Sequence, residues 1–287
     1  MSRSFLFVPA DSARKMAKAL DAGADALILD LEDSVSAEAK PDARVLAAEW
    51  LVGKMDVWVR INPIDTDDAE ADLEAVMPAA PAGIMLPKPR SAADVKQLAA
   101  RLDRLEAQHG IASGSTRIVA LCTERPEALF TLHGYIGATP RLAGLSWGAE
   151  DLSAAVGARA NRDTAGNWLP QFELARSLCL FAAAAAGVAA IDTVFTNFRD
   201  QAGLARYAAN ARRDGFSGML AIHPAQVETI NAAFTPGPDE ILQARRIVAA
   251  FENAPGAGTI GLDGRMIDRP HLLQAQRLLE QAKSLKG

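Results

Sequence analysis

The sequence predicts a (β/α)8 TIM-type barrel with a C-terminal helical extension. Short β-branched or apolar runs alternate with longer helical stretches, the pattern of βαβ units and a parallel sheet. There are eight such runs, and 287 residues without a low-complexity linker suit one α/β barrel. The strand runs are Phe5–Val8, Ala26–Leu29, Val57–Ile61, Gly83–Leu86, Ile118–Cys122, Leu142–Trp147, Ala190–Val194 and Met219–Ile222. A doubly wound open sheet is the alternative architecture for the same alternation.

The intervening segments carry helix signals. Asp11 and Ser12 are placed to cap a helix over Ser12–Asp21, and Ser91 one over Ser91–His109 with Asp94 in its first turn. Gly23, Gly53, Gly83, Gly110 and Gly187 stand where a helix must stop before the next strand. The barrel is expected over residues 1–235 and the extension over 236–287. In the extension a helix at Asp239–Asn253 is followed by Ala254-Pro255-Gly256-Ala257-Gly258, a hairpin around Asp263-Gly264, and a last helix from about Pro270.

Composition narrows the function classes. With 49% hydrophobic residues, a chain this long buries a sizeable core without disulfides or a structural metal. The net charge of −5 offers no basic field for nucleic acid or an anionic membrane. Cys122 and Cys179 lie in apolar runs without metal-ligand spacing and read as buried free thiols. The N-terminal apolar run is too short for a signal peptide, and no stretch reaches the roughly 20 apolar residues of a membrane span. A soluble cytoplasmic protein is expected.

In a barrel of this type the C-terminal strand ends line the active site, and here they carry charge. Strand two runs into Asp30, Glu32 and Asp33; strand three holds Arg60; strand four ends at Lys88; strand five at Thr123-Glu124. Strand six leads to Glu150-Asp151, strand seven holds Asp192 and strand eight ends at His223. Each alone also reads as a solvated loop charge or an ion pair. Asp33 and Asp192 suit structural roles such as helix caps, and His223 a satisfied structural histidine. Carboxylates without a Cys or His cluster suit a hard cation such as Mg2+. Arg60, and also Arg14, can grip a substrate carboxylate in bidentate fashion. With no phosphate loop, nucleophile elbow or H-E-x-x-H motif, metal-polarised carbonyl chemistry through an enolate remains.

Several motifs resemble one family. They are Arg3-Ser4-Phe5-Leu6-Phe7-Val8-Pro9-Ala10, Leu29-Asp30-Leu31-Glu32-Asp33-Ser34-Val35, Val59-Arg60-Ile61-Asn62 and Leu86-Pro87-Lys88. Further along come Trp147-Gly148-Ala149-Glu150-Asp151-Leu152, Ala221-Ile222-His223-Pro224-Ala225-Gln226 and Met266-Ile267-Asp268-Arg269-Pro270. In this order, over essentially the whole chain, they resemble the citrate lyase β-subunit-like family of the HpcH/HpaI aldolase superfamily, with malyl-CoA and citramalyl-CoA lyases among its members. The resemblance implies a Mg2+-dependent barrel with Glu124 and Asp151 as metal ligands and Arg60 on the substrate carboxylate. It also implies Lys40 near a CoA phosphate, and a homotrimer or hexamer in which Asp268 reaches a neighbouring subunit's site. Two positions depart from the pattern. Many relatives read Ile-Glu-Thr at strand five where this chain has Cys122-Thr123-Glu124, which places the ligand at Glu124 by a one-residue adjustment. Gly218-Met219 stands where Gly-Lys is expected.

The leading functional expectation is a lyase that cleaves or condenses a 3-hydroxy-3-carboxyl acyl-CoA, such as malyl-CoA or citramalyl-CoA, into an acyl-CoA and a 2-oxo acid. Asp268 or Asp30 would carry the proton, and Glu124, Arg14 and Lys88 would join Arg60 in holding substrate. A thioesterase acting on the same acyl-CoA is a close variant. A metal-independent aldolase with Lys88 as Schiff-base nucleophile, and a catalytically quiet subunit awaiting an acyl carrier partner, stay open. For Asp268, capping the helix that begins at Pro270 is the structural alternative.

Overall fold

Eight parallel strands follow one another around a closed barrel: β1 (Ser4–Pro9), β2 (Ala26–Asp30), β3 (Val57–Arg60), β4 (Gly83–Leu86), β5 (Arg117–Leu121), β6 (Leu142–Ser146), β7 (Ala189–Asp192) and β8 (Gly218–Ala221). β8 returns to β1 through the pairs Ser4–Met219, Phe5–Leu220 and Leu6–Ala221. That closure makes the fold a (β/α)8 barrel and removes the open-sheet alternative. The structure, a computed structural model, describes residues 2–54 and 56–285. Each run that the sequence marks as a strand supplies one barrel strand.

The helices are α1 (Ala13–Leu20), α2 (Lys40–Leu51), α3 (Asp67–Val76), α4 (Ala92–His109), α5 (Ala149–Ala155), α6 (Pro170–Ala186), α7 (Gln201–Asp214) and α8 (Val227–Phe234). Between β5 and β6 the chain takes a 3-10 path over Pro126–Tyr135 instead of an α-helix. The caps are those the sequence announces: Ser12 accepts from Lys15 N and Ser91 from Ala93 N. Gly110 and Gly187 end α4 and α6 in the left-handed conformation, with φ of 65° and 70°. Gly83 is a correction, because it ends no helix and is the first residue of β4. An added Cβ there would lie 2.3 Å from Trp58 Cζ3 and 2.8 Å from the Arg117 carbonyl oxygen. The position requires glycine for space.

Alternation along the strands sorts side chains between the barrel interior and the helix layer. Phe5, Ala26, Ile28, Met85, Val119, Leu121, Ile191 and Leu220 form one buried cluster, with Phe7 and Trp58 packed against it. Phe5 and Trp58 meet edge to face at 6.1 Å. Two residues beyond Ile28 comes Asp30, and two beyond Trp58 comes Arg60, so both share the face of the apolar plug, at the strands' C-terminal ends. Asp192 directly follows Ile191 and takes the opposite face. It accepts from Trp147 Nε1 at 2.7 Å, Arg176 Nη2 at 2.8 Å and Tyr207 Oη at 3.1 Å. Its role is structural, as a hub reaching α6 and α7 and not as a helix cap.

Residues 234–285 form one compact unit, and residues 2–233 form the barrel unit. The C-terminal unit contains α9 (Pro238–Glu252), the hairpin β9 (Thr259–Leu262) and β10 (Arg265–Asp268), and α10 (Arg269–Ser284). Asp263 and Gly264 turn the hairpin with φ of 51° and 74°. α10 lies against α9, with Val248, Phe251 and Leu272 lining a small cavity between them. The apolar residues of α9 and α10 thus give each helix a partner within the C-terminal unit. Cys122 and Cys179 are free and buried, as expected. Among the described residues no helix is long and apolar enough to cross a membrane.

Gly83→Ala should destabilise the barrel by about 1–3 kcal/mol, because the methyl group must displace either the Trp58 ring or backbone. Urea denaturation followed by tryptophan fluorescence checks this, and an unchanged midpoint would refute the close-packed reading.

Candidate active site

The site is built outward from Arg60. Its Nε donates to Asp30 Oδ1 and its Nη2 to Asp30 Oδ2, both at 2.7 Å, a two-point clamp between neighbouring strands β2 and β3. Beneath it the Phe7 ring lies 4.7 Å from the guanidinium carbon. Asp30 also accepts the backbone N–H groups of Glu32 at 3.0 Å and Ser34 at 3.2 Å, so it shapes the loop after β2 as well. Burial acts to raise the Asp30 carboxyl, but Arg60 and these N–H groups hold it below the usual carboxylate range.

That loop turns Glu32 inward. Its Oε2 lies 2.9 Å from Arg60 Nη1 and its Oε1 2.6 Å from Lys88 Nζ. Burial pushes the Glu32 carboxyl up to about 7 against the pull of those two cations. Lys88 also reaches Asp33 Oδ1 at 3.1 Å and Asp151 Oδ1 at 3.3 Å. Its backbone N–H donates to Glu124 Oε2 at 2.6 Å.

Glu124 follows β5 and is buried, 4% exposed. Its carboxyl is pushed well above the ordinary value by burial, reinforced by the Asp151 and Glu32 charges. Gly148, just after β6, makes room for it: a Cβ there would sit 2.4 Å from Glu124 Cγ. Asp151 comes from the first turn of α5 and is partly exposed. Thr123, the rival for the ligand position, is fully buried, and its hydroxyl has no hydrogen-bond partner among the described residues.

Among the described residues, Asp30, Glu32, Asp33, Glu124 and Asp151 are joined in this cluster by two cations, Arg60 and Lys88, so carboxyl groups outnumber cations in a partly buried mouth. The donors are all oxygens, which suits a hard divalent cation. Among the described residues no three His, Cys, Asp or Glu side chains form a ready-made metal cage. Glu124 with Asp151 fits Mg2+ all the same, because that ion commonly takes one or two carboxylates and fills its other positions with water and substrate oxygens.

Among the described residues, no hydrogen bond or ion pair joins the other expected residues to this cluster. Arg14 is exposed on α1. Lys40 bonds the Asn62 side-chain oxygen and lies 3.8 Å from Asp68. His223 accepts from Ala225 N and stacks on Phe198 at 4.6 Å, a structural cap as expected. Met219 is buried in β8. Asp268 caps α10 by accepting from His271 N and pairs with the His271 ring, so the capping alternative is realised. Glu32, one of the strand-end charges, gains its specific place between Arg60 and Lys88 only here, as does Gly148 beside Glu124. The apolar alternation leading to Asp30 points at the first, and nothing local points at the second.

Because the folded protein holds protons on Glu32 and Glu124 more tightly than the unfolded chain, stability falls as pH rises through about 7 from the ordinary glutamate range. Without divalent ions, the melting temperature should drop between pH 5 and pH 8, and Glu32→Gln should flatten that slope. Parallel slopes in the two proteins would count against the burial of Glu32.

The model of the HpcH/HpaI aldolase/citrate lyase family matches residues 3–224. The chain is 34% identical to citrate lyase subunit beta of Leuconostoc mesenteroides subsp. cremoris, over 99% of this chain and 94% of that protein. It is 35% identical to a (3S)-malyl-CoA thioesterase of Cereibacter sphaeroides, over 99% and 95%. The crystal structure of protein CitE from Mycobacterium tuberculosis, in complex with magnesium, acetoacetate and coenzyme A, matches with a TM-score of 0.82. Identity there is 34%, over 98% of each chain.

Proposed function

Because this chain belongs to the HpcH/HpaI aldolase/citrate lyase family, we propose that it is a Mg2+-dependent carbon–carbon lyase acting on a 3-hydroxy-3-carboxyl acyl-CoA. Malyl-CoA and citramalyl-CoA are the substrate class, split into an acyl-CoA and a 2-oxo acid or formed from them. The observation that carries the reading is the convergence of Glu124 and Asp151, which follow adjacent strands, on Lys88 in a mouth with more carboxyl groups than cations. Magnesium and coenzyme A in the Mycobacterium tuberculosis relative support both halves of it.

Glu124 and Asp151 would hold the ion. Bound Mg2+ would polarise the carbonyl and carboxylate oxygens of the 2-oxo acid. Arg60, clamped by Asp30, presents its remaining guanidinium edge near Glu32 and offers a fixed positive charge to a substrate carboxylate or developing oxyanion. Asp30 is assigned to positioning Arg60 instead of proton transfer, because both its oxygens are engaged and its carboxyl stays ionised. Glu32, with its carboxyl near neutrality, suits proton transfer. Lys88 is held as an ammonium among carboxylates, which disfavours the neutral amine that a Schiff-base mechanism needs.

A thioesterase is the second reading, favoured by the identity to the (3S)-malyl-CoA thioesterase. Incubating the isolated chain with malyl-CoA, citramalyl-CoA and related thioesters plus Mg2+ separates the two. Glyoxylate or pyruvate with an acyl-CoA marks the lyase, and free CoA with the intact hydroxy acid marks the thioesterase. No turnover on the whole panel would leave the quiet-subunit reading. Glu124→Gln and Asp151→Asn should each weaken Mg2+ binding at least about tenfold by calorimetry and abolish turnover, the loss of a direct ligand. Unchanged affinity in both would remove the metal assignment.

The C-terminal unit enters the proposal through Asp268. We assign it to the active site of a neighbouring subunit in a homotrimer or hexamer, where the exposed Met266 beside it would help to close the mouth. Its cap on α10 is compatible with this, since only Oδ1 is engaged with His271. Mixing Asp268→Asn with Arg60→Ala, each inactive alone, should restore activity through mixed oligomers. Failure to recover it, with subunit exchange shown by mass, would eliminate the assignment.

A further inference from the structure

Lys88 occupies a backbone conformation that side chains avoid. Its φ is +50°, in the left-handed region, and it precedes Pro89, which restricts it further. Such a conformation persists only where the surroundings enforce it, and it often marks a functional position. Two sets of contacts enforce it here. The backbone N–H donates to Glu124 Oε2 at 2.6 Å. The ammonium lies 2.6 Å from Glu32 Oε1, 3.1 Å from Asp33 Oδ1 and 3.3 Å from Asp151 Oδ1. One residue thus touches both carboxylates assigned to the metal, one with its main chain and the other with its side chain.

An ammonium ringed by three carboxylates has the oxygen surroundings of a small hard cation. A divalent ion held by Glu124 and Asp151 would place two further positive charges within a few ångströms of it, and that repulsion is strong in a partly buried mouth. The Lys88 side chain is 23% exposed, and it sits on a flexible four-carbon stem. The ammonium can therefore leave without disturbing the N–H that fixes Glu124. Asp33, whose side chain is 54% exposed, offers it an outer partner.

We propose that Lys88 is the built-in cation of the metal-free site. Its ammonium neutralises Asp151 until a divalent ion binds, then swings outward, keeping Asp33 and reaching the anionic end of the substrate. This rests on the reading of Glu124 and Asp151 as metal ligands. Lys88 is then a positioning residue that couples metal binding to substrate binding and sets their order, metal first.

The test uses the full-length protein and Mg2+ alone. An amine-acylating reagent is applied with and without saturating Mg2+, and the adduct on each lysine is quantified by peptide mass spectrometry. Calorimetry gives the Mg2+ affinity of the wild type, Lys88→Met and Glu124→Gln. Lys88 acylation should rise severalfold with Mg2+ while the other lysines stay level, and Lys88→Met should bind Mg2+ about tenfold more tightly. Acylation that stays level or falls, or an affinity in Lys88→Met no tighter than wild type, overturns the proposal while the metal reading stands. If Lys88→Met does not fold, the acylation series on the wild type decides. Equal Mg2+ affinity in wild type and Glu124→Gln removes Glu124 as a ligand, and the proposal with it.

Discussion

Asp30 and Arg60 form the ion pair on which the rest of the mouth depends. Two charges withdrawn from water are costly unless their geometry is close and their remaining hydrogen-bonding capacity is met. Here the fork is bidentate, and two backbone N–H groups occupy Asp30 from the loop side. Those same N–H groups fold the loop after β2, and the fold of that loop turns Glu32 toward Arg60 and Lys88. Lys88 in turn fixes Glu124 through its main chain. Removing one charge would leave the others without the partner that justifies their burial.

The mouth stands on an apolar floor. Phe5, Trp58, Ile28 and Leu121 fill the barrel below it, and Phe7 lies under the Arg60 guanidinium. This floor keeps water from the lower side of the charges, which strengthens every electrostatic interaction above it. Space is set as tightly as charge. Gly83 admits the Trp58 ring and Gly148 admits the Glu124 side chain, each at a distance that a methyl group would violate.

Not every strand-end charge belongs to this cluster. Asp192 is as buried as Asp30, yet it faces the helix layer, where Arg176, Trp147 and Tyr207 satisfy it. His223 is used by its own turn and by Phe198. The contrast is one of alternation: side chains one residue apart along a strand point to opposite sides of the barrel wall. Charge at a strand end is thus a weak signal, whereas charge two residues beyond an interior apolar side chain is a stronger one. Asp30 after Ile28 and Arg60 after Trp58 satisfy that condition; Asp192 after Ile191 does not.

The sequence by itself determined the eight strands, the caps at Ser12 and Ser91 and the extension with its Asp263-Gly264 turn, because these follow from local periodicity and from backbone preferences of single residues. It also determined that carboxylates, one arginine and one lysine gather at the strand ends, since chain order in a barrel dictates where strand ends lie. Motifs spread along the whole chain were enough to indicate the family. Only the tertiary structure decided which charges meet. The clamp of Arg60 on Asp30 spans 30 positions, and the reach of Lys88 to Glu32 spans 56. The burial that moves the Glu32 and Glu124 carboxyls upward comes from walls supplied by several strands. The left-handed turn at Lys88, the space at Gly148, the role of Gly83 and the pairing of α10 with α9 were likewise settled there. Each is a relation between distant parts of the chain, and no local pattern encodes it.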